Sequence, residues 1–167
     1  GISKEDRIVC MHPGGHFPSQ RWMPEAFAEL ADRIAIKYNA RIVVIGSPSE
    51  AKLVEGIVSL AKTKPAFITY VGIDVIAAVI AASDLLVCNN SGPLHIAGAL
   101  GTPTVSTMGP TVPYLWPPLG PRNTVIRPAI PCSPCDAGSC AAHECMKRIS
   151  VNEMEEAIAR QLEKPSA

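Results

Sequence analysis

Between Ser83 and Thr111 the chain reads strand, tight polar turn, short helix and second strand, the order of a βαβ unit. Asp84 to Cys88 is an apolar run that stops at Asn89-Asn90-Ser91-Gly92. Pro93 follows, and proline suits the first turn of a helix, where its missing N–H costs nothing. Leu94 to Leu100 has helical composition and ends at Gly101, with Pro103 beyond it as a stop signal. Thr104 to Met108 is rich in β-branched residues and reads as the next strand. A strand that ends in a Ser-Gly turn and opens a helix presents unpaired N–H groups and the positive end of the helix dipole. That combination is a ready site for an anion, most often phosphate.

The alternation runs through the rest of the chain. Arg7 to Met11 predicts a first strand, leading into His12-Pro13-Gly14-Gly15-His16, where two glycines without Cβ atoms let the backbone approach a ligand. Pro24 opens a helix to about Tyr38, with Phe27, Leu30, Ile34 and Tyr38 spaced as one buried stripe. Arg41 to Gly46 is a continuously apolar strand, as a strand covered on both faces should be. Ser47 to Glu50 is a turn with helix-capping character, and Glu50 to Lys62 a helix with Leu53, Ile57 and Leu60 inward. Phe67 to Val71 predicts a third strand and Asp74 to Ala82 an alanine-rich helix. After Gly109, prolines punctuate a segment with room for one short strand, about Asn123 to Arg127. A helix closes the chain from about Val151 to Leu162, its apolar face formed by Met154, Ala157, Ile158 and Leu162.

Strands alternating with helices of this length predict an α/β fold: a parallel sheet of about six strands with helices on both faces. Ligands of such sheets bind outside the carboxyl ends of the strands, near the reversal of strand order. The loops His12–Trp22, Gly46–Glu50, Asn89–Pro93 and Gly109–Pro113 all follow strands, so they should converge on one rim. Within them His12 suits packing as well as function, and His16 reads as a loop residue. Trp22 reads as a core anchor and Trp116 as a loop packing residue.

Composition narrows the class of partner. The 167 residues are 47% hydrophobic and 18% charged, which suits one domain with its own core. A formal net charge of zero with no basic run argues against nucleic acid or an anionic membrane surface as main partner. No apolar run approaches the roughly 20 residues that span a bilayer. The opening GISKEDRIVC lacks the apolar core of a signal peptide, and a short polar lead from Gly1 straight into a strand is how an excised domain begins.

Six cysteines divide into two groups. Cys10 and Cys88 sit in apolar strands and read as small buried hydrophobes. Cys132, Cys135, Cys140 and Cys145 cluster in one loop with His143 among them. That spacing suits a structural zinc held by four cysteines, or by three and the histidine; an iron–sulfur cluster or two disulfides fit it as well.

The strings HPGG…SQRW, IVVIGSPSE, NNSGPLHIAGALGTPTVSTMGPT and CSPCDAGSCAAHECMKRIS together resemble the C-terminal half of the ADP-heptose:lipopolysaccharide heptosyltransferases. These form glycosyltransferase family nine, and the resemblance runs from Ile8 to about Leu162. It implies the C-terminal half of a GT-B fold: residues 1–167 as one Rossmann-like donor-binding domain, without the N-terminal acceptor domain that carries the catalytic aspartate. On that reading no catalytic residue lies in this chain, and it is inactive alone. The donor is a nucleotide-diphospho-sugar, ADP-heptose by resemblance, and the acceptor is the lipopolysaccharide core. No cofactor is needed for catalysis, and the location is cytoplasmic, peripheral to the inner membrane.

Positions carry over one by one. Ser91, Gly92 and His95 match the turn and helix start that contact the diphosphate, and Gly14 and Gly15 the loop beside the phosphates. Glu50 matches the acid that contacts the ribose, while Gly109 and Thr111 border the pocket. Two positions depart from the pattern: Asn90 stands where the family has an acid, and Gln20 where it has a lysine, with Arg21 able to supply the charge. Those departures motivate a second reading, a non-catalytic nucleotide- or phosphate-binding module. A third is a metal-bearing interaction domain built around the cysteine loop.

Overall fold

The computed structural model describes residues 5–163; Gly1 and the polar lead through Lys4 lie outside the described residues. Six strands form one sheet: β1 (Arg7–His12), β2 (Ala40–Ile45), β3 (Ala66–Ile68), β4 (Leu85–Asn89), β5 (Thr104–Thr107) and β6 (Asn123–Ile126). Their order is β3-β2-β1-β4-β5-β6 and every pairing is parallel. Strand order therefore reverses between β1 and β4, whose last residues are nearly level, with His12 opposite Cys88.

Helices cover both faces because side chains alternate along each strand. Val9, Met11, Leu85 and Val87 point to the face covered by α1 (Pro24–Tyr38), α2 (Ala51–Leu60) and α6 (Val151–Leu162). Cys10, Leu86 and Cys88 point to the other face, under α3 (Ile73–Ala81) and α4 (Gly92–Leu100). Removing a side chain such as Phe27, Leu30 or Ile34 from water contributes roughly 1.5–3 kcal/mol. Trp22 is also buried, as expected; it meets Phe27 edge-on at 5.2 Å and donates its indole N–H to the Ile149 carbonyl at 2.9 Å.

Local signals explain the boundaries. Pro24 sits in the first turn of α1, and Asn39 closes that helix in the left-handed region at φ 49°. Gly101 closes α4 at φ 76°, a conformation glycine adopts without steric cost. Ser150 and Glu153 cap α6 reciprocally. Among the described residues no helix is long and apolar enough to cross a membrane.

Three expectations need correction. Leu60 is 55% exposed, because α2 ends there when Ala61 turns extended, and Val54 and Ile57 fill the core instead. The third strand has only three residues, all at least partly exposed, as an edge strand with one neighbour tolerates. The cysteine segment holds a short helix, α5 (Glu144–Lys147), that burial of Cys145 and Met146 anchors.

One buried side chain ties the rim of this sheet together. Asn89, at the end of β4, is fully buried. Its Oδ1 accepts from the Trp22 N–H at 3.0 Å and from the Thr107 hydroxyl at 2.8 Å. Its Nδ2 donates to the carbonyls of Pro13 at 2.7 Å and Gly14 at 2.9 Å. Two donors and two lone pairs are all an amide has, so every one is used. Asn89→Asp keeps the shape but turns a carboxylate oxygen toward two carbonyls; it should cost about 2–5 kcal/mol. Urea denaturation measures this, and a loss below about 1 kcal/mol would remove Asn89 from that role.

Candidate functional site

The loops after β1, β2 and β4 do converge, around a cleft of about 480 Å³ at the carboxyl ends of the strands. Its lining combines polar residues, among them His12, Arg21, Ser47, Glu50 and Ser91, with the apolar side chains of Ile45, Val71, Ile73, Ile76 and Ile96. Ile73 is 73% and Val71 38% exposed, so this part of the apolar lining stands open to solvent.

The turn before α2 builds the first charged group. Pro48 to Glu50 form a short 3-10 turn, and the Glu50 carboxylate folds back to accept from the Ser47 N–H at 2.8 Å and the Ser47 hydroxyl at 2.7 Å. The same oxygen takes a third contact from His12 Nε2 at 3.4 Å. Burial by itself would raise the pKa of this carboxyl. The His12 and Ser47 hydrogen bonds outweigh it and hold the group down at about 2. Gly14 lies directly above: a Cβ there would run into the Glu50 carboxylate and the His12 ring.

The turn after β4 builds the second element. Ser91 is the residue before α4 in extended conformation, yet its hydroxyl makes no capping bond. It bonds to His12 Nδ1 at 3.1 Å and to the Asn89 carbonyl at 3.1 Å instead. The N-terminus of α4 keeps its positive end free of a side-chain acceptor. A Cβ built on Gly92 would meet nothing within 4 Å, so this end faces open space. Arg21 reaches the same cleft, its Nε and Nη2 donating to the Gly15 carbonyl at 3.1 and 2.9 Å.

Of the residues the sequence singled out, Gly14, Gly15, Arg21, Glu50, Ser91 and Gly92 gather here. The others gather beside it, around the loop after β5. Gln20 Nε2 donates to Thr111 Oγ1 at 3.4 Å, tying the first loop to the last. Asn90 Nδ2 donates to the Trp116 carbonyl at 3.1 Å, and His95 lies 6.4 Å from the Trp116 ring. The Gly109 carbonyl accepts from Ser133, and a Cβ at Gly109 would collide with Cys145 and Met146. Tyr114, Leu115, Trp116 and Leu119 flank this second group and are each more than half exposed.

Two members of the site were not singled out by the motif. His12 joins Glu50 to Ser91, and a histidine ending a buried strand at the reversal of strand order was the signal for it. The apolar lining of Ile45, Val71, Ile73 and Ile76 was indistinguishable in sequence from core.

The zinc expected at Cys132, Cys135, Cys140 and Cys145 is not supported. Among the described residues no three His, Cys, Asp or Glu side chains are placed to hold a metal ion, and all six cysteines are free thiols. Cys145 is buried while the other three face solvent, and the His143 ring is turned away to the Ser19 carbonyl at 3.0 Å. The cysteine loop instead braces the site from behind: the N–H groups of Cys135 and Asp136 bond to the Pro110 carbonyl, and Ser19 bonds to the Ala137 carbonyl.

A doubly wound parallel sheet with a helix N-terminus open to a cleft at the strand-order reversal is the arrangement of nucleotide-binding α/β proteins. Glycosyltransferase family 9 (heptosyltransferase) matches residues 1–146, and the chain belongs to that family. It is 31% identical over 132 residues to lipopolysaccharide heptosyltransferase 2 of Escherichia coli (strain K12), covering 75% of this chain and 38% of the relative. The solved structure of Escherichia coli ADP-heptose lipopolysaccharide heptosyltransferase II superposes with a TM-score of 0.82 at 25% identity, covering 96% of this chain and 48% of that one. The Escherichia coli heptosyltransferase WaaC with ADP shares the fold, at a TM-score of 0.77 and 19% identity over 96% of this chain and 46% of its own. This chain therefore spans less than half the length of each of these proteins.

The depressed Glu50 carboxyl makes stability depend on pH with a defined sign. Its contribution is fully present above the ordinary value of 4.5 and is withdrawn as pH falls from there through about 2. Between those limits the urea midpoint of the wild type should fall more than that of Glu50→Gln. Parallel curves would mean that Glu50 makes no favourable bonds as a carboxylate.

Proposed function

We propose that this chain is the donor-binding part of a glycosyltransferase, and that it holds a nucleotide-diphospho-sugar, ADP-heptose, for transfer to a lipopolysaccharide core acceptor. One observation carries the reading: α4 opens its N-terminus, uncapped by Ser91 and unobstructed at Gly92, into a cleft that also holds Arg21. Such an end binds phosphate through backbone N–H groups and dipole. The open apolar lining of Val71, Ile73 and Ile76 then takes the base by stacking and burial. Glu50, ionised and able only to accept, takes ribose hydroxyls. The sugar extends toward Asn90, His95, Gly109 and Thr111, beside Trp116.

Sugar transfer from such a donor needs stabilisation of the departing diphosphate and a base for the acceptor hydroxyl. The groups in this cleft supply the first. We assign the base and the acceptor site to parts of the enzyme outside these residues, so that the chain by itself binds donor without transferring it. We place the enzyme in the cytoplasm, at the membrane where its acceptor is assembled. The names of the relatives support the choice of ADP and heptose: the relatives are lipopolysaccharide heptosyltransferases, and WaaC was solved with ADP.

A binding module without transferase activity is the competing reading, favoured by one observation. Gln20 and Asn90 are tied to Thr111 and Trp116 and supply neither the lysine nor the acid of the family pattern. Transfer of heptose by an enzyme containing this chain together with the remaining half separates the two.

Calorimetric titration with ADP tests the site itself. The wild type should bind saturably, and Gly92→Ala should weaken binding about tenfold, roughly the 1.4 kcal/mol of one good anion contact. Melting temperature should not fall, since the Cβ meets nothing in the protein and alanine is the better helix former. Absence of saturable ADP binding at millimolar concentration would overturn the proposal.

A further inference from the structure

The Glu50–His12–Ser91 chain has a direction of proton donation that can be worked out atom by atom. Glu50 is ionised, so the hydrogen on the 3.4 Å contact belongs to His12 Nε2. In neutral His12 the other nitrogen, Nδ1, is then an acceptor, and the only hydrogen available on the 3.1 Å contact is that of Ser91 Oγ. With the Ser91 proton committed to the ring, its oxygen offers the cleft only lone pairs. In protonated His12 both nitrogens donate, Ser91 Oγ accepts from Nδ1, and its own hydrogen is released. That hydrogen can stay on the Asn89 carbonyl at 3.1 Å or turn to a ligand at the start of α4.

We infer that His12 is a positioning residue for the diphosphate: its protonation state sets the direction of the Ser91 hydroxyl, so that binding of a nucleoside diphosphate takes up a proton at Nδ1. The inference rests on the donor-site reading above and adds to it a residue and a proton. The proton comes from solvent, no covalent bond is made or broken, and the new positive charge lies between Glu50 and the anion. Transfer of the sugar leaves one more negative charge on the diphosphate than the intact donor carries. A protonated His12 behind Ser91 therefore favours the departing group over the donor.

The surroundings of the ring fit this role. Among the described residues Glu50, from the turn before α2, is the one carboxylate bonded to it. Arg21, from the loop after β1, lines the same cleft and adds positive charge that an incoming anion offsets, and His16 lines it beside Arg21. Cys88, level with His12 on β4, and Cys10, two residues back on β1, are buried thiols whose pKa values burial pushes up, so they stay neutral.

His12→Gln tests the inference. Glutamine can give an amide N–H to Glu50 and an amide oxygen to Ser91, which imitates neutral histidine at every pH. Calorimetric titration with ADP, in two buffers of different ionisation enthalpy, counts the protons taken up. The wild type should take up close to one proton more than His12→Gln. From about pH 5.5 to about pH 8.5 its affinity should fall about tenfold more than that of the variant. The terminal phosphate of ADP titrates equally against both proteins, so the difference belongs to His12. Equal uptake and equal slopes, with ADP still binding saturably, would overturn the inference and leave the donor site standing. No saturable binding to the wild type at any pH would overturn both. Should the variant not fold, nitrogen-15 spectra of the wild-type imidazole decide. Saturating ADP near neutral pH should move Nδ1 from the acceptor signal to the N–H signal, and an unmoved signal would overturn the inference.

Discussion

The site depends on a buried amide. Asn89 stands where the strand order of the sheet reverses, and its four hydrogen bonds reach Pro13, Gly14 and Trp22 in the loop after β1 and Thr107 at the end of β5. A loop carbonyl at such a place would otherwise face an apolar interior unpaired, which costs about 1–3 kcal/mol for each group. One side chain thus satisfies the backbone of the first loop and holds it against β4. Gly14 is thereby placed over Glu50, and Ser91, two residues beyond Asn89, is placed within reach of His12.

Electrostatics then divide the cleft into complementary ends. Glu50 is held as a carboxylate by Ser47 and His12, so at ordinary pH that end only accepts hydrogen bonds. The free backbone N–H groups at the start of α4 and the Arg21 guanidinium in the same cleft only donate. A ligand bearing hydroxyls at one end and a diphosphate at the other matches both, and the exposed apolar lining leaves room for a flat base beyond. His12 is the element common to the two ends, because it bonds to Glu50 through one nitrogen and to Ser91 through the other. The cysteine loop serves these parts mechanically, through backbone bonds to Pro110 and side-chain contacts with Ser19.

Most of the architecture was legible in the sequence because its signals are local. Pro24, Gly101 and the apolar runs of β1, β2 and β4 mark their elements without reference to anything distant, and α1 and α6 begin and end where the pattern places them. The motif strings led to the family by the same local route. What was not legible depends on contacts between segments far apart. Leu60 fits the helical stripe, but the helix stops under it, and only the packing of α1 and α2 decides which residue fills the core. Gln20 and Asn90 each hydrogen-bond to a partner far along the chain, Thr111 at 91 residues and Trp116 at 26. Asn89 read as the first residue of a turn, and nothing in its neighbours announces four buried partners. The cysteine spacing suggested a metal shell, whereas burial of Cys145 with Met146 beneath Gly109 separates it in environment from its three exposed neighbours.

On the proposed reading one ligand spans Gly15, the turn from Gly46 to Glu50 and the start of α4. Amide hydrogen exchange with and without saturating ADP tests it most directly. Exchange should slow at Gly15, Ser47, Ser49, Glu50 and Gly92, with amides of the cysteine loop from Cys132 to Cys145 unchanged. Slowing confined to the cysteine loop or to the opposite end of the sheet, with these five amides unaffected, would contradict it.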